Sequence, residues 1–343
     1  MPLLASWLRI GSPTKKVDAC SRSSQDSLTI VEKADILQSQ KADAREEKVQ
    51  WLVRSIVNTH TELLKLPHLR PAPAINKLLG NLVAICSEIH DQDIVDKAVL
   101  PSLRQICAQS ESCLELHWAE HILEGQTQQE VVERLESFPY YENYEDLTRL
   151  EVCSILSATK KAPRRVAFIG SGPLPLTSLC LLQALKNDVA VRSLTQPTTN
   201  NTTATDNAAN QEPIVLNVDY DEAAISASLK LSLALGERGN GMEFICAEAT
   251  SASASRDLSE FDVVYMAALV GVTQTDKEKI MLEVISRMRR GALLVVRSSW
   301  GLRSCLYPEV DLATETLLKR LEPCVVVHPY NQVVNSVIVA RVR

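Results

Sequence analysis

Downstream of Lys160 the chain alternates between two textures. Seven short apolar runs, RVAFIG, PIVLNVD, MEFICAE, FDVVYMA, GALLVVRS, CVVVHP and VVNSVIVARV, follow one another, with amphipathic stretches at 174–186, 222–236 and 275–290 between the early ones. Strand-length runs alternating with helix-length stretches predict an α/β fold with a parallel, doubly wound sheet, because a parallel neighbour is reached only through a crossover helix. The last two runs are separated only by YNQ, too short for a crossover, so an antiparallel hairpin is expected to end the sheet.

Upstream the pattern is different. From Leu28 to Leu156 apolar residues recur at three- and four-residue spacing, as in WLVRSIVNTHTELLKL and AINKLLGNLVAICSEIH, and no convincing strand interrupts them. The expected organisation is a disordered tail at 1–25, an all-α domain at 26–160 and a Rossmann-like domain at 161–343, with the charged, proline-containing KKAPRR as the joint. The polar low-complexity stretch TQPTTNNTTATDNAAN, 195–210, is expected as a disordered insert between the first helix of the sheet region and its second strand. Its Asn-X-Thr matches at Asn200 and Asn201 are read as idle, since MPLLASWLRI lacks the positive start and long apolar run of a secretory signal.

Composition removes several classes of function. The chain of 343 residues is 45% hydrophobic, has a formal charge of −6 and carries no basic stripe, so no nucleic-acid partner is expected. No segment approaches the ~20 continuous apolar residues of a membrane span, so no membrane association is expected. The nine cysteines are odd in number, scattered among apolar neighbours and never in a CxxC pair. They read as reduced residues of a cytoplasmic protein rather than as zinc ligands.

The chemistry is concentrated first in VAFIGSGPLPL, Val166 to Leu176. Gly170, Ser171 and Gly172 follow a strand, as in a nucleotide-binding loop, but Pro173 and Pro175 remove two of the amide donors a pyrophosphate needs, and the third glycine of the dinucleotide fingerprint is absent. S-adenosylmethionine (SAM) presents only a small carboxylate beside its adenosine, so close backbone approach at the glycines and a proline-stiffened turn suit it better. A dinucleotide and a merely structural turn remain the alternatives. Asp219, at the tip of the second strand, is the candidate for the ribose hydroxyls, with Asp221 its neighbouring competitor and helix capping the ordinary alternative. Glu248, after the third strand, is the candidate for the adenine amino group.

In the helical half, HWAEH (117–121) matches the HxxEH pattern of some zinc peptidases, but no third ligand is apparent and no metal is expected. Glu111, Glu115 and Trp118 share one helix face, and FPYYENY follows, placing Phe138, Tyr140, Tyr141 and Tyr144 together in a chain that is only 4% aromatic. A solvated face is the ordinary reading of the glutamates. The clustered aromatics suggest a pocket wall instead.

Taken together, these blocks resemble the nicotianamine synthase family. The resemblance is carried, in order from about Asn81 to Ala340, by NLVAICSEI, LRQICAQSESCLELHWA, FPYYENYEDLTRLE, VAFIGSGPLPLTSL, FDVVYMAALVG, GALLVVRSSWGLRSCLYPEVD and VVNSVIVA. The first 70 or so residues and the 195–210 insert show no counterpart, and Trp118 stands where plant members often carry tyrosine. The resemblance implies a SAM-methyltransferase-like sheet domain preceded by helices over the active site. It implies condensation of three SAM molecules by successive aminocarboxypropyl transfer into nicotianamine, a metal chelator, with release of three methylthioadenosines and no metal needed for catalysis. The implied partners are small molecules, SAM and the aminocarboxypropyl intermediates. Glu111 or Glu115 would make the attacking amine neutral, with Tyr140, Tyr141 or Tyr144 as partner. Gly170, Ser171, Gly172, Pro173, Asp219, Glu248 and Ala268, the last within FDVVYMAALVG, would hold SAM, and Arg297, Arg303 and Tyr307 would meet a substrate carboxylate. Two other functions fit the same sheet: a SAM-dependent small-molecule methyltransferase, and a non-catalytic SAM- or nicotianamine-binding protein.

Overall fold

The computed structural model describes residues 30–88, 94–187, 191, 212–250, 257–271 and 273–343. The tail expected at 1–25 and the insert expected at 195–210 lie outside the described residues. The chain divides into two compact units, Met1–Lys48 and Val49–Arg343. Within the first, the described part is the opening stretch of α1 (Ile30–Leu64), whose side chains from 38 to 48 are all exposed. Its sequence there, QSQKADAREEK, offers no apolar stripe to bury.

The second unit contains everything else, and the boundary expected at 160–161 falls inside it. The remainder of α1 leads to α2 (Pro73–Cys86), α3 (Leu100–Leu123), α4 (Gln128–Glu136) and α5 (Tyr141–Ala158). Proline opens both α2 and α3, where its missing amide removes no helical hydrogen bond. Thr127 caps α4 by accepting from the Glu130 amide. Leu52, Ile56 and Leu63 of α1 pack with Leu82 and Cys86 of α2 and Leu103 and Ile106 of α3.

Then come β1 (Arg165–Ile169), α6 (Leu176–Asn187), β2 (Ile214–Asp219), α7 (Glu222–Ala234), β3 (Met242–Cys246), β4 (Val263–Met266), α8 (Gln274–Ser286), β5 (Leu293–Ser298), a 3-10 turn (Gly301–Cys305), α9 (Glu315–Leu318), β6 (Leu321–Val327) and β7 (Ser336–Val342). All seven expected strands form. The sheet order is β3-β2-β1-β4-β5-β7-β6, with β1 to β5 parallel and β7 antiparallel to both β5 and β6. This is the expected doubly wound sheet with its terminal antiparallel hairpin. The connection between the last two strands is longer than YNQ. It spans 328–335, because β6 ends at Val327, before Pro329, which supplies no ladder donor, and β7 begins only at Ser336.

Both sheet faces are covered, which is why the parallel strands read as continuous apolar runs. Ala167, Ile169, Val264 and Met266 pack under Met281, Val284 and Ile285 of α8. On the other face Val166, Phe168, Val263 and Tyr265 meet Leu181, Leu182 and Leu185 of α6 and Val152 and Ile155 of α5. A helix from the amino-terminal half therefore forms part of the sheet's own cover. The register Ile169↔Val218 and Ile169↔Met266 aligns the carboxyl ends of the central strands. Their following loops share one edge of the sheet, where open α/β folds bind ligands.

Candidate active site

A cavity of ≈ 910 Å³ opens at that edge, bounded by the loops after β1, β2, β3 and β4, by Arg297 of β5 and by one face of α3. The loop after β1 turns through Gly170 (φ 81°) and Gly172 (φ 65°), both in the left-handed region that favours glycine. Space matters as much as backbone freedom. A Cβ on Gly170 would stand 2.5 Å from Val270 Cγ2, and one on Gly172 would stand 2.5 Å from Glu115 Oε2. The carboxylate of α3 thus rests directly against the glycine loop.

The loop keeps few amides for an outside ligand. Those of Gly170 and Ser171 donate to the Val218 carbonyl, and that of Gly172 donates to Asp219 Oδ2 at 2.9 Å. Pro173 and Pro175 have none, and α6 begins only at Leu176. A pyrophosphate would find few of the donors it needs, as the sequence suggested.

Asp219 ends β2 and is 9% exposed; its Oδ1 accepts the Asp221 amide at 3.0 Å. Each of its oxygens thus takes one backbone donor and retains a lone pair. Asp221 is the helix cap: its side chain accepts from the Ala223 amide and opens α7. Glu248 is exposed at the cavity wall, and Ala268 lines it with its carbonyl held by Lys277 Nζ at 2.7 Å.

Across from this loop, α3 presents Glu111 and Glu115 one turn apart, both lining the cavity. Tyr307 donates its hydroxyl to Glu111 Oε2 at 2.8 Å, and Tyr144 donates to Glu115 Oε1 at 3.0 Å. Burial raises the Glu111 carboxyl above the usual range, partly offset by the Tyr307 hydrogen bond and by the charge of Arg297. Glu115 is raised further, by burial and by the neighbouring charge of Glu111. The pair is therefore a proton acceptor of more than ordinary carboxylate basicity, in a cavity whose nearby buried cation is already paired.

That cation is Arg297. Its Nε donates to Glu151 Oε1 at 2.7 Å, and its Nη2 donates to Thr177 Oγ1 at 2.7 Å and to Glu151 Oε2 at 3.3 Å. Glu151 is wholly buried. Burial alone would lower the guanidinium, but the Glu151 carboxylate outweighs it and raises Arg297 above its ordinary value. Most of its fork is thus taken up by a structural ion pair rather than left for a substrate carboxylate. Arg297 still lines the cavity, and its Nη1 has no hydrogen-bond partner among the described residues.

Four other expected site residues, Tyr140, Tyr141, Arg303 and Tyr307, do not line the cavity. Tyr140 precedes α5 and is 40% exposed, packing edge-on against Phe138. Tyr141 points into the core beside Ile122 and Leu135, with its hydroxyl accepting from Arg238 Nη2 at 3.0 Å. Three residues further along α5, Tyr144 lies about 60° round the helix from Tyr141 and nearly a turn further on, and only Tyr144 lines the cavity. Arg303 is buried under the ring of Trp300, its Nη2 donating to the Asn331 carbonyl at 3.1 Å. Tyr307 donates its hydroxyl to Glu111. Trp118 packs edge-on against Phe138 and His121. His117 and His121 lie towards solvent, and no group of three or more His, Cys, Asp or Glu placed to hold a metal occurs among the described residues.

Four residues had not been singled out: Glu151, Thr177, Lys277 and Asn335. Glu151 carried a usable signal, because it interrupts the apolar row Leu147, Val152, Ile155 of α5 with a charge. Lys277 carried none, since TDKEK reads as a solvated charge run.

Comparison with known proteins supplies the context. The family model described as Nicotianamine synthase protein matches residues 45–343, so the match begins upstream of the motif blocks and includes part of the first 70 residues. Nicotianamine synthase 2 of Oryza sativa subsp. japonica is 32% identical over 308 residues, covering 87% of this chain and 85% of the relative. Nicotianamine synthase 8 of Hordeum vulgare is 33% identical over 305 residues, covering 87% and 84%. Among solved structures, MtNAS in complex with MTA and tNA superposes with a TM-score of 0.61 at 19% identity, over 86% of this chain and 97% of that one. It shares the fold.

Proposed function

The chain belongs to the nicotianamine synthase family, and from that premise we propose that it condenses three SAM molecules by successive aminocarboxypropyl transfer, forming nicotianamine and releasing three methylthioadenosines. The observation that carries this reading is the contact between the Glu111–Glu115 pair and the glycine loop, with Glu115 Oε2 against Gly172. It joins a basic carboxylate pair to a nucleoside site.

Asp219 takes the two ribose hydroxyls with its remaining lone pairs, and Glu248 meets the adenine amino group. The glycine loop admits the sulfur-bearing chain at the point where Glu115 stands. There a carboxylate balances the sulfonium charge and stabilises the bound cation. Of the three carbons on a sulfonium, the one that reacts is the one aligned with the nucleophile. The face of α3 carrying Glu111 and Glu115 does that alignment.

The attacking amine forms a bond to the aminocarboxypropyl carbon while the carbon–sulfur bond breaks. The bond's electron pair stays on sulfur, which leaves as neutral methylthioadenosine. The amine must surrender one proton, and the carboxylate pair accepts it, with Glu115 as the stronger base. Tyr144 and Tyr307 hold the two carboxylates in place by the hydrogen bonds described above.

Incubation of the pure protein with SAM as sole substrate is the test. Methylthioadenosine and nicotianamine are the expected products. S-adenosylhomocysteine formed only on addition of another acceptor would establish a methyltransferase instead, and SAM binding without turnover would establish a binding protein. Glu115→Gln should lower turnover by roughly a hundredfold or more while SAM still binds.

A further inference from the structure

The loop after β4 is tied down from beneath by a buried ammonium. Residues 267–270 form a turn closed by the Val270 amide on the Ala267 carbonyl at 3.2 Å. The carbonyls of Ala267 and Ala268 both accept from Lys277 Nζ, at 3.4 and 2.7 Å. Lys277 sits at the start of α8, is wholly buried and has no acidic partner among the described residues. The end of the loop is pressed onto the same residue, since a Cβ on Gly271 would stand 2.8 Å from Lys277 Cα. An apolar side chain would fill this place without burying a charge. A lysine kept there breaks a local rule in the way functional sites do.

Carbonyls held on one side turn their amides to the other, because the C=O and N–H of a trans peptide point in opposite directions and these peptides are trans. The amides of Ala268 and Leu269 share their peptides with the two carbonyls that Lys277 holds, so they point away from it. Ala268 and Leu269 line the cavity and Lys277 does not. Neither amide has a hydrogen-bond partner among the described residues. The loop thus offers the cavity two adjacent backbone donors, and the ammonium behind them polarises the Ala268–Leu269 peptide and strengthens the second. The strand order selects what they meet. On one side of β1, which leads into the glycine loop, lie β2 and then β3; on the other lies β4. Asp219 and Glu248, which take ribose and adenine, follow β2 and β3. The two free amides stand across the glycine loop from them, where the chain beyond the sulfur extends. That chain ends in an ammonium and a carboxylate, and a pair of N–H donors fits the carboxylate. Nearby donors are already committed: the glycine-loop amides to Val218 and Asp219, and most of the Arg297 fork to Glu151 and Thr177.

We propose that the Ala268 and Leu269 amides bind the carboxylate of SAM's aminocarboxypropyl arm, and that Lys277 is the positioning residue that aims them. Anchoring the far end of the arm restricts the orientations open to the carbon that the amine attacks. The site rests on SAM as the ligand. It does not depend on which group of SAM is transferred.

Calorimetry of the full chain with two unreactive ligands tests it. S-adenosylhomocysteine carries the arm on a neutral thioether, and its decarboxylated analogue lacks only the carboxylate, so the ratio of the two affinities reads the carboxylate contact. The wild type should favour S-adenosylhomocysteine by about tenfold or more, the worth of one hydrogen bond to a charged group. Ala268→Pro deletes one of the two amides at the second position of the turn, where proline is favoured. It should remove most of that preference and leave the affinity for the analogue unchanged. Lys277→Met should also lower the ratio, and Lys277→Gln, which returns an N–H donor beneath the loop, should recover part of it. A merely structural lysine predicts that Lys277→Met weakens both ligands equally or neither, and that result overturns the positioning role. A wild-type ratio near one, or a ratio unchanged in Ala268→Pro, overturns the carboxylate site, whether or not the Lys277 variants fold. A wild type that binds neither ligand refutes the SAM reading itself, and the site with it.

Discussion

Replacing Lys277 by Met isolates the effect of a buried charge beneath the cavity loop. Lys277 is wholly buried, and its ammonium donates to the carbonyls of Ala268 at 2.7 Å and Ala267 at 3.4 Å, with no acidic partner among the described residues. Burial lowers its pKa from 10.5 to about 7. The folded pKa lies below the unfolded one, so the folded state binds fewer protons in that window and stability rises with pH across it. The cost of the buried charge is complete below pH ~7, at roughly 5 kcal/mol for a shift of that size, and disappears as pH approaches the unfolded value. At pH 9 about 2 kcal/mol of it remains. Lys277→Met removes the titration and nearly conserves volume, but leaves the Ala268 carbonyl without a donor at about 1–3 kcal/mol, a cost independent of pH, while the Ala267 carbonyl keeps the Val270 amide. Whatever the absolute gap, the variant's stability relative to wild type should therefore fall by about 3 kcal/mol between pH 6 and pH 9. Urea denaturation of both proteins at pH 6, 7, 8 and 9 measures it. A gap that does not change with pH would show that Lys277 keeps an ordinary pKa and would refute the reasoning.

The other predictions concern the cavity. Glu151→Gln leaves Arg297 buried with a neutral partner, and urea denaturation should show a loss of about 3–5 kcal/mol; a loss under 1 kcal/mol would mean the pair is not the anchor of β5 to α5. Gly172→Ala combines a positive φ with a Cβ 2.5 Å from Glu115 Oε2, so it should cost about 1–2 kcal/mol and depress turnover more than SAM binding. Turnover equal to wild type would refute the contact. Glu111 and Glu115 have raised pKa values, so their ionisation lowers the stability of the ligand-free protein as pH rises from 4.5 through the raised values. A sulfonium reverses that preference, and SAM binding should release protons. Calorimetry in phosphate and in Tris, buffers of different ionisation enthalpy, reads the release directly; identical apparent enthalpies would contradict the raised values.

Much of the nucleoside side was legible because it rests on local rules. Positive-φ glycines, the prolines that displace amide donors and an acid at a strand tip are each dictated by a few adjacent residues, and GSGPLPL and LNVDYD place them. Sequence preferred Asp219 to its neighbour Asp221. That Asp219 accepts the Gly172 amide, 47 residues distant along the chain, while Asp221 caps α7, could not be read from it. The tyrosines were less legible. FPYYENY marks a cluster, but whether a ring reaches a cavity depends on how the helix is packed, and of the three tyrosines Tyr141 enters the core while Tyr144 alone lines the cavity.

What the sequence by itself determined is the parallel sheet, its antiparallel end and the identity of the glycine loop, because period and turn chemistry are properties of neighbouring residues. Only the tertiary structure decided how charges pair across the chain. Arg297 meets Glu151 at a separation of 146 residues, and Tyr307 meets Glu111 across 196. Such pairs leave no periodic trace in the sequence, since a side chain's partner is set by which helix the sheet is packed against. For the same reason Lys277 looked solvated in TDKEK and Asn335 looked like part of a strand. Burial lowered the pKa of one and left the other with an Nδ2 that has no partner among the described residues.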